Sequence, residues 1–104
     1  MITAQEIMTE LHVDETTEET IVFENLIQQA SAIIRGSISF SSVLTDERIM
    51  QIDADVYTRL ITTLVDSIYR DRSMEKGYSK GVQIQLGQLK NRVVFEMGDE
   101  LNGV

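Results

Sequence analysis

Two long segments of the chain carry apolar side chains at spacings of three and four residues, which is the spacing of one face of an α-helix. The stripe of the first segment consists of Phe23, Ile27, Ala30 and Ile34. The stripe of the second consists of Val56, Leu60, Leu64 and Ile68. Gly36 is expected just beyond the end of the first helix, because glycine adopts positive φ at little cost. Asp53 is expected as the N-cap of the second.

Two further signals mark where helices begin. Thr3 followed by Glu6 has the spacing of a capping box, which predicts a short first helix that ends near His12. Thr16 followed by Glu19 repeats that spacing and predicts the start of the first long helix.

The segment over residues 82–97 fits two secondary structures. Its opening, VQIQL, alternates like a strand. Val82, Leu86 and Leu89 also have the spacings of a helix face. A helix is favoured, because a lone strand would have no partner within the chain. As a strand, the segment would offer an edge for pairing with a neighbouring subunit.

These elements predict a mainly α fold, a small bundle of about four helices, two long and two short. Loops are expected at residues 37–52 and 74–81. A chain of 104 residues is the size of one domain, so residues 1–104 are expected to form a single helical domain with a flexible tail over 93–104. No apolar run approaches the length of a membrane span, and no membrane partner is expected.

Charge is unevenly distributed along the chain, whose formal net charge is −8. Residues 1–34 contain seven acidic and no basic residues, whereas residues 70–92 contain six basic and two acidic ones. The negative net charge argues against a protein whose function is to bind phosphate groups. If the acidic and basic segments lie on opposite flanks, identical copies would attract one another head to tail, as in a ring.

The predicted subunit interface therefore pairs acidic residues of one copy with basic residues of the next. It consists of Glu15, Glu18, Glu19, Arg70 and Arg72. The alternative is that both groups are solvated helix faces with no partner, in which the two arginines only suit the negative end of a helix dipole. A second candidate contact is the loop with Lys76, Tyr78 and Lys80, which combines basic and aromatic character as some nucleic-acid contacts do. A solvated loop is the alternative there.

The sequence shows no catalytic, cofactor-binding or metal-binding pattern, and we expect no enzyme activity and no cofactor. His12 is the only histidine, and no second ligand stands four residues away. It is expected to be a structural or surface residue. Glycine-rich phosphate cradles, calcium loops and nucleophile elbows are absent from the sequence.

The opening segment resembles the start of phage head–tail connector proteins. In these proteins a short helix is followed by a Leu–basic–aliphatic–Asp step, an acidic turn and a long helix. Here Leu11-His12-Val13-Asp14 occupies the step, with His12 where a lysine or arginine is more usual, and Leu26-Ile27 and Ala30 lie in the long helix. The second half, LITTLVDSIYRDRS followed by a loop and GVQIQLGQLK, is similar to the family's aliphatic helix, variable loop and C-terminal helix.

This resemblance implies a structural subunit of the virion, made in the host cytoplasm and placed at the head–tail junction. It implies a ring of roughly a dozen copies, in keeping with closed head-to-tail contacts. The ring would bind the portal protein and the next head-completion or tail protein, and DNA would pass through without specific binding. An acidic wall would repel phosphates and let the duplex slide. The alternative is a small dimeric regulatory or partner-binding helical protein.

Overall fold

The computed structural model describes residues 1–39, 43–70 and 79–101. Its helices are α1 (Ala4–Glu10), α2 (Thr17–Ile38), α3 (Asp46–Arg70) and α4 (Lys80–Leu101). The predicted all-α bundle of four helices is confirmed, with three long helices and one short. The described residues contain no strand, and residues 82–97 are helical.

Helix α1 begins with the predicted capping box. The Glu6 backbone N–H donates to Thr3 Oγ1 at 3.2 Å, and the Thr3 N–H donates to Glu6 Oε1 at 3.2 Å. Two backbone donors that the first turn would leave unpaired are thereby satisfied.

Helix α1 ends in a Schellman motif with a histidine at the position that glycine usually takes. His12 has φ 59° and is exposed. Its N–H donates to the Thr9 carbonyl at 3.3 Å, and the Val13 N–H donates to the Met8 carbonyl at 2.9 Å. These two bonds are the pair that defines the motif. His12 is therefore a structural surface residue that reverses the chain, as the sequence predicts.

Replacement of His12 by glycine is expected to stabilise the protein. A left-handed residue other than glycine costs about 1 kcal/mol, partly offset because glycine loses more freedom on folding, so His12→Gly should gain about 0.5 kcal/mol. His12→Val should lose about 1 kcal/mol, since a β-branched residue tolerates positive φ poorly. Urea unfolding measures both. Glu10→Gly is the control within helix α1 and should lose about 1 kcal/mol, and a loss in His12→Gly of similar size would contradict the assignment.

The start of α2 has half of the predicted second capping box. The Glu19 N–H donates to Thr16 Oγ1 at 3.1 Å. The Glu19 carboxylate instead accepts a hydrogen bond from the Tyr69 hydroxyl at 3.1 Å. In a complete capping box the Glu19 carboxylate would accept from the Thr16 N–H. Here it makes a tertiary contact with Tyr69 instead.

The predicted loop over residues 37–52 is much shorter in the structure. Helix α2 continues through Gly36 to Ile38, and α3 begins at Asp46. Both extensions bury an apolar side chain, Ile38 at the end of α2 and Ile49 in the first turns of α3. Burial of these side chains in the shared core outweighs the local tendency of a glycine to end a helix.

Helix α3 is kinked at Asp53, which has extended backbone angles (φ −155°, ψ 80°). Its Oδ1 accepts from the Val56 N–H at 3.3 Å, so Asp53 caps the second part of α3 as the sequence predicts. Its Oδ2 lies 3.4 Å from Arg92 Nε of α4. The Asp53 carboxylate therefore both caps the second part of α3 and forms an ion pair with α4.

The core lies between α2, α3 and α4, with α1 packed against α2. Both predicted stripes point into it, and only Val56 among their members remains partly exposed. The largest fully covered side chains of this core include Phe23, Ile34, Tyr57, Leu60, Leu64 and Leu89.

Helix α4 is longer than the sequence predicts. Its buried stripe consists of Val82, Leu89, Val93 and Met97. Residues 93–101, predicted as the first part of a flexible tail, lie in this helix, because Val93 and Met97 complete the core at that end. The predicted loop over 74–81 ends by Ser79, since Lys80 opens α4; residues 74–78 lie outside the described residues.

A polar cluster joins the end of α2 to both parts of α3. Asp46 Oδ1 accepts hydrogen bonds from Arg35 Nη1 and from the hydroxyl of Tyr57, a buried residue. Burial, together with the hydrogen bond and charge of Asp46, raises the pKa of Tyr57 well above its ordinary value. Tyr57 therefore stays protonated and can donate to Asp46.

Asp46→Ala should destabilise the protein by about 2 kcal/mol, because it leaves the buried Tyr57 hydroxyl and the Arg35 guanidinium without their shared acceptor. Tyr57→Phe should lose about 1 kcal/mol. The double variant should lose less than the sum, since the phenylalanine leaves no orphaned hydroxyl. Thermal and urea unfolding measure all three, and strictly additive losses would show that the two side chains are not coupled.

Candidate functional site

The acidic and basic ends of the predicted interface lie at the same end of the bundle. The hydrogen bond between Glu19 and Tyr69 brings the start of α2 beside the end of α3. Glu15 and Glu18 are exposed there, and Arg70 follows Tyr69 directly. The condition that the acidic and basic segments lie on opposite flanks is therefore not met by Arg70.

Arg70 is an exposed residue with a local partner. Its Nε lies 2.5 Å from Oδ1 of Asp66, four residues earlier, and the side chain is 70% exposed. The hydrogen bond and charge of Asp66 raise the pKa of Arg70. Most of the Arg70 side chain remains accessible, so a second acidic partner can approach it. Arg72, the other basic member of the predicted interface, lies outside the described residues.

Of the three residues of the candidate loop contact, the structure describes only Lys80. Lys76 and Tyr78 lie outside the described residues. Lys80 is the first residue of α4 and is exposed. Its contribution to a contact stays a prediction.

An open groove of about 300 Å³ runs between α2 and α3 at this same end of the bundle. We call it the α2–α3 groove; it is lined by Val22, Asn25, Leu26, Gln29, Ile68 and Tyr69. Its volume is at the lower end of the range for small-molecule pockets. Glu18 lies one turn before Val22 on α2 and Arg70 lies just past Tyr69, so a charge of each sign lies at the end of the groove where α2 begins and α3 ends.

The largest exposed apolar side chain in the described part of the chain was not predicted as a site. Phe95 on α4 is 87% exposed, and Ile84 and Val94 on the same helix are about half exposed. The signal in the sequence is the run Val93-Val94-Phe95. A helix face accommodates one or two of three consecutive residues, so one apolar side chain of the run must point outward.

Phe95 is flanked by charges of both signs. A shallow depression beside it is lined by Asn91, Arg92, Phe95 and Glu96. The Arg92 side chain is 62% exposed although its Nε lies near Asp53. We call Phe95 with these neighbours the α4 knob.

No group of three or more histidine, aspartate or glutamate side chains in the described part of the chain has the arrangement of a metal site. None of the helices in the described ranges is long and apolar enough to cross a membrane.

In comparisons with known proteins, no family model, curated protein or solved structure matches this chain.

Proposed function

We propose that this chain is a structural assembly subunit, and specifically a head–tail connector subunit that forms a ring between the portal and the tail of a tailed bacteriophage. The observation that carries the assembly role is Phe95, which lies 87% exposed on a bundle whose other large aromatic side chains in the described ranges are covered or half covered. An exposed aromatic next to charged and amide side chains has the composition of a protein–protein contact.

The specific assignment to a connector rests on the resemblance of most of residues 2–92 to that family. The four-helix all-α bundle agrees with the fold that the resemblance implies. Glu15 and Glu18 are exposed at the start of α2. In a ring, acidic groups of this kind would face either a basic neighbour or the lumen, where they would repel DNA phosphates and let the duplex pass unbound.

Light scattering on a sizing column, with the protein alone and mixed with the portal protein of the same genome, tests this proposal. A large closed oligomer, or a monomer that assembles only on the portal, is the expected result. A stable low-order species that ignores the portal would overturn the connector assignment.

Charge reversal at the predicted interface should weaken assembly. The variant Arg70→Glu/Arg72→Glu removes the basic side chains expected to face acidic residues of the next copy, and should shift the sizing profile toward monomer. Arg59→Glu, an exposed position in the middle of α3, is the matched control. Normal assembly of the double variant would remove Arg70 and Arg72 from the interface.

A second candidate function is a dimeric regulatory or partner-binding protein. The observation that favours it is that Ile84, Val94 and Phe95 are all exposed on α4, so two copies could pair through this helix about a two-fold axis. A stable dimer indifferent to portal would support this candidate.

A further inference from the structure

Phe95 does not contribute to the core of its own chain. The buried stripe of α4 runs through Val82, Leu89, Val93 and Met97, and Phe95 lies two positions from each of the last two. Two positions along a helix is a rotation of about 200°, so Phe95 faces away from the bundle. A phenylalanine in that position gains stability only when another surface covers it.

The α2–α3 groove has the size and lining to receive one aromatic side chain. Val22, Leu26 and Ile68 supply apolar walls, and Asn25 and Gln29 stand at the rim. A pocket of about 300 Å³ is small for a metabolite and open enough for a side chain delivered by a helix.

Phe95 cannot reach the groove of its own chain. Arg92 lies beside Asp53 and Glu100 beside Arg48, so the second half of α4 packs along the first part of α3. The groove lies at the other end of α3, at Ile68. Fifteen residues of helix separate Asp53 from Ile68, a distance of about 22 Å. A contact between knob and groove therefore joins two copies, and it uses different surfaces on each.

The charges around the two surfaces are complementary. Arg92 and Glu96 flank Phe95, and Glu18 and Arg70 lie together at the end of the groove where α2 begins and α3 ends. A docked knob can place Arg92 toward Glu18 and Glu96 toward Arg70 of the next copy. Both arginines keep 62–70% of their side chains exposed beside their own partners, so each can take a second carboxylate.

We propose that Phe95 of one copy inserts into the α2–α3 groove of the next, and that this heterologous contact is the repeating interface of the assembly. The inference rests on the proposed function as an assembly subunit and names the surfaces that would carry it. A contact of this type closes into a ring when the rotation between copies permits and extends into a filament when it does not.

Site-directed cross-linking tests the geometry, because the chain contains no cysteine. Asn25→Cys places a thiol at the rim of the groove, and Asn91→Cys places one a turn before Phe95; both positions are exposed. The two single variants, one carrying a mass tag, are mixed with and without portal and treated with a short bifunctional maleimide. The expected product is a cross-linked dimer with one subunit of each kind, and the Asn25→Cys/Asn91→Cys double variant should give a ladder.

Each other outcome overturns the inference. A dimer formed by Asn91→Cys alone would show that α4 pairs with α4 of a second copy. A dimer formed by Asn25→Cys alone would show that the groove faces another groove. No cross-linking under any of these conditions would show that neither surface meets another copy.

Removal of the aromatic ring tests the energetics. Phe95→Ser should weaken self-association by about tenfold or more, as expected for loss of a central aromatic anchor, measured by sedimentation equilibrium alone or by recruitment to portal. Ile84→Ser is the matched control, since Ile84 is also exposed on α4 but lies three turns away, and it should leave association unchanged. Equal effects of the two variants would overturn the knob assignment.

The outcomes separate this inference from the connector assignment. Mixed cross-links that form equally with and without portal, with no assembly on the portal, would support the contact between Phe95 and the groove and exclude the connector function. Portal-dependent assembly that is unaffected by Phe95→Ser and yields no mixed cross-link would support the connector function and exclude the contact between Phe95 and the groove.

Discussion

A chain that ends after Arg92 should lose about 3 kcal/mol or more of its free energy of unfolding, because it lacks two side chains that are almost completely buried, Val93 and Met97. That loss is a large share of the 5–15 kcal/mol typical of a small domain. A chain that ends after Leu101 retains the whole of α4 and should unfold as the full chain does.

Urea unfolding of the two truncated chains and the full chain measures this difference. Met97→Ala provides a point variant that leaves the chain length unchanged and should lose at least about 2 kcal/mol. If the chain ending after Arg92 were as stable as the full chain, residues 93–101 would be a tail without a structural role, as the sequence alone suggests.

Phe23→Ala should be the most damaging single substitution considered for this protein, with a loss of about 4 kcal/mol. The Phe23 side chain is fully buried, and its ring centroid lies 4.8 Å from that of Tyr69. Its removal leaves a cavity between α2 and α3 and withdraws the ring against which Tyr69 packs. The hydrogen bond from Tyr69 to Glu19 should weaken with it.

Two matched variants make this test specific. Ile21→Ala lies on the same helix, but the isoleucine is 53% exposed, so its loss should stay within about 0.5 kcal/mol. Phe23→Leu keeps an apolar side chain in place and should lose less than Phe23→Ala. Similar losses for Phe23→Ala and Ile21→Ala would contradict the placement of Phe23 in the core.

The prediction that Phe23 is a core residue required only its neighbours along the chain. The spacing of Phe23, Ile27, Ala30 and Ile34 placed them on one face of α2, and all are buried. The capping of α1 by Thr3 and Glu6 was equally accessible, because both partners of each hydrogen bond lie within four residues. Such features depend on local geometry, which a single helix imposes by itself.

The candidate site was predicted less well. Glu18, Glu19 and Arg70 were identified by charge, but their arrangement at one end of the bundle depends on the way α2 packs against α3. Phe95 was missed because exposure is a property of the assembled bundle. The same residue would be buried if α4 were rotated by half a turn, and the apolar run Val93-Val94-Phe95 permits more than one rotation.

The caps at Thr3 and Asp53 and the apolar faces of α2 and α3 thus follow from the order of residues along this chain, since each is decided within one or two turns. The ends of α2 and α4 and the pairing of the helices follow only from packing. Helix α2 continues past Gly36 because Ile38 is buried in the core. Helix α4 extends to Leu101 because Val93 and Met97 are buried there as well. In the same way, Glu19 meets Tyr69 and Asp53 meets Arg92 across sequence separations that no local pattern spans. Contacts between distant residues outweigh local preferences here because burial of an apolar side chain is worth more than the propensity of a single residue.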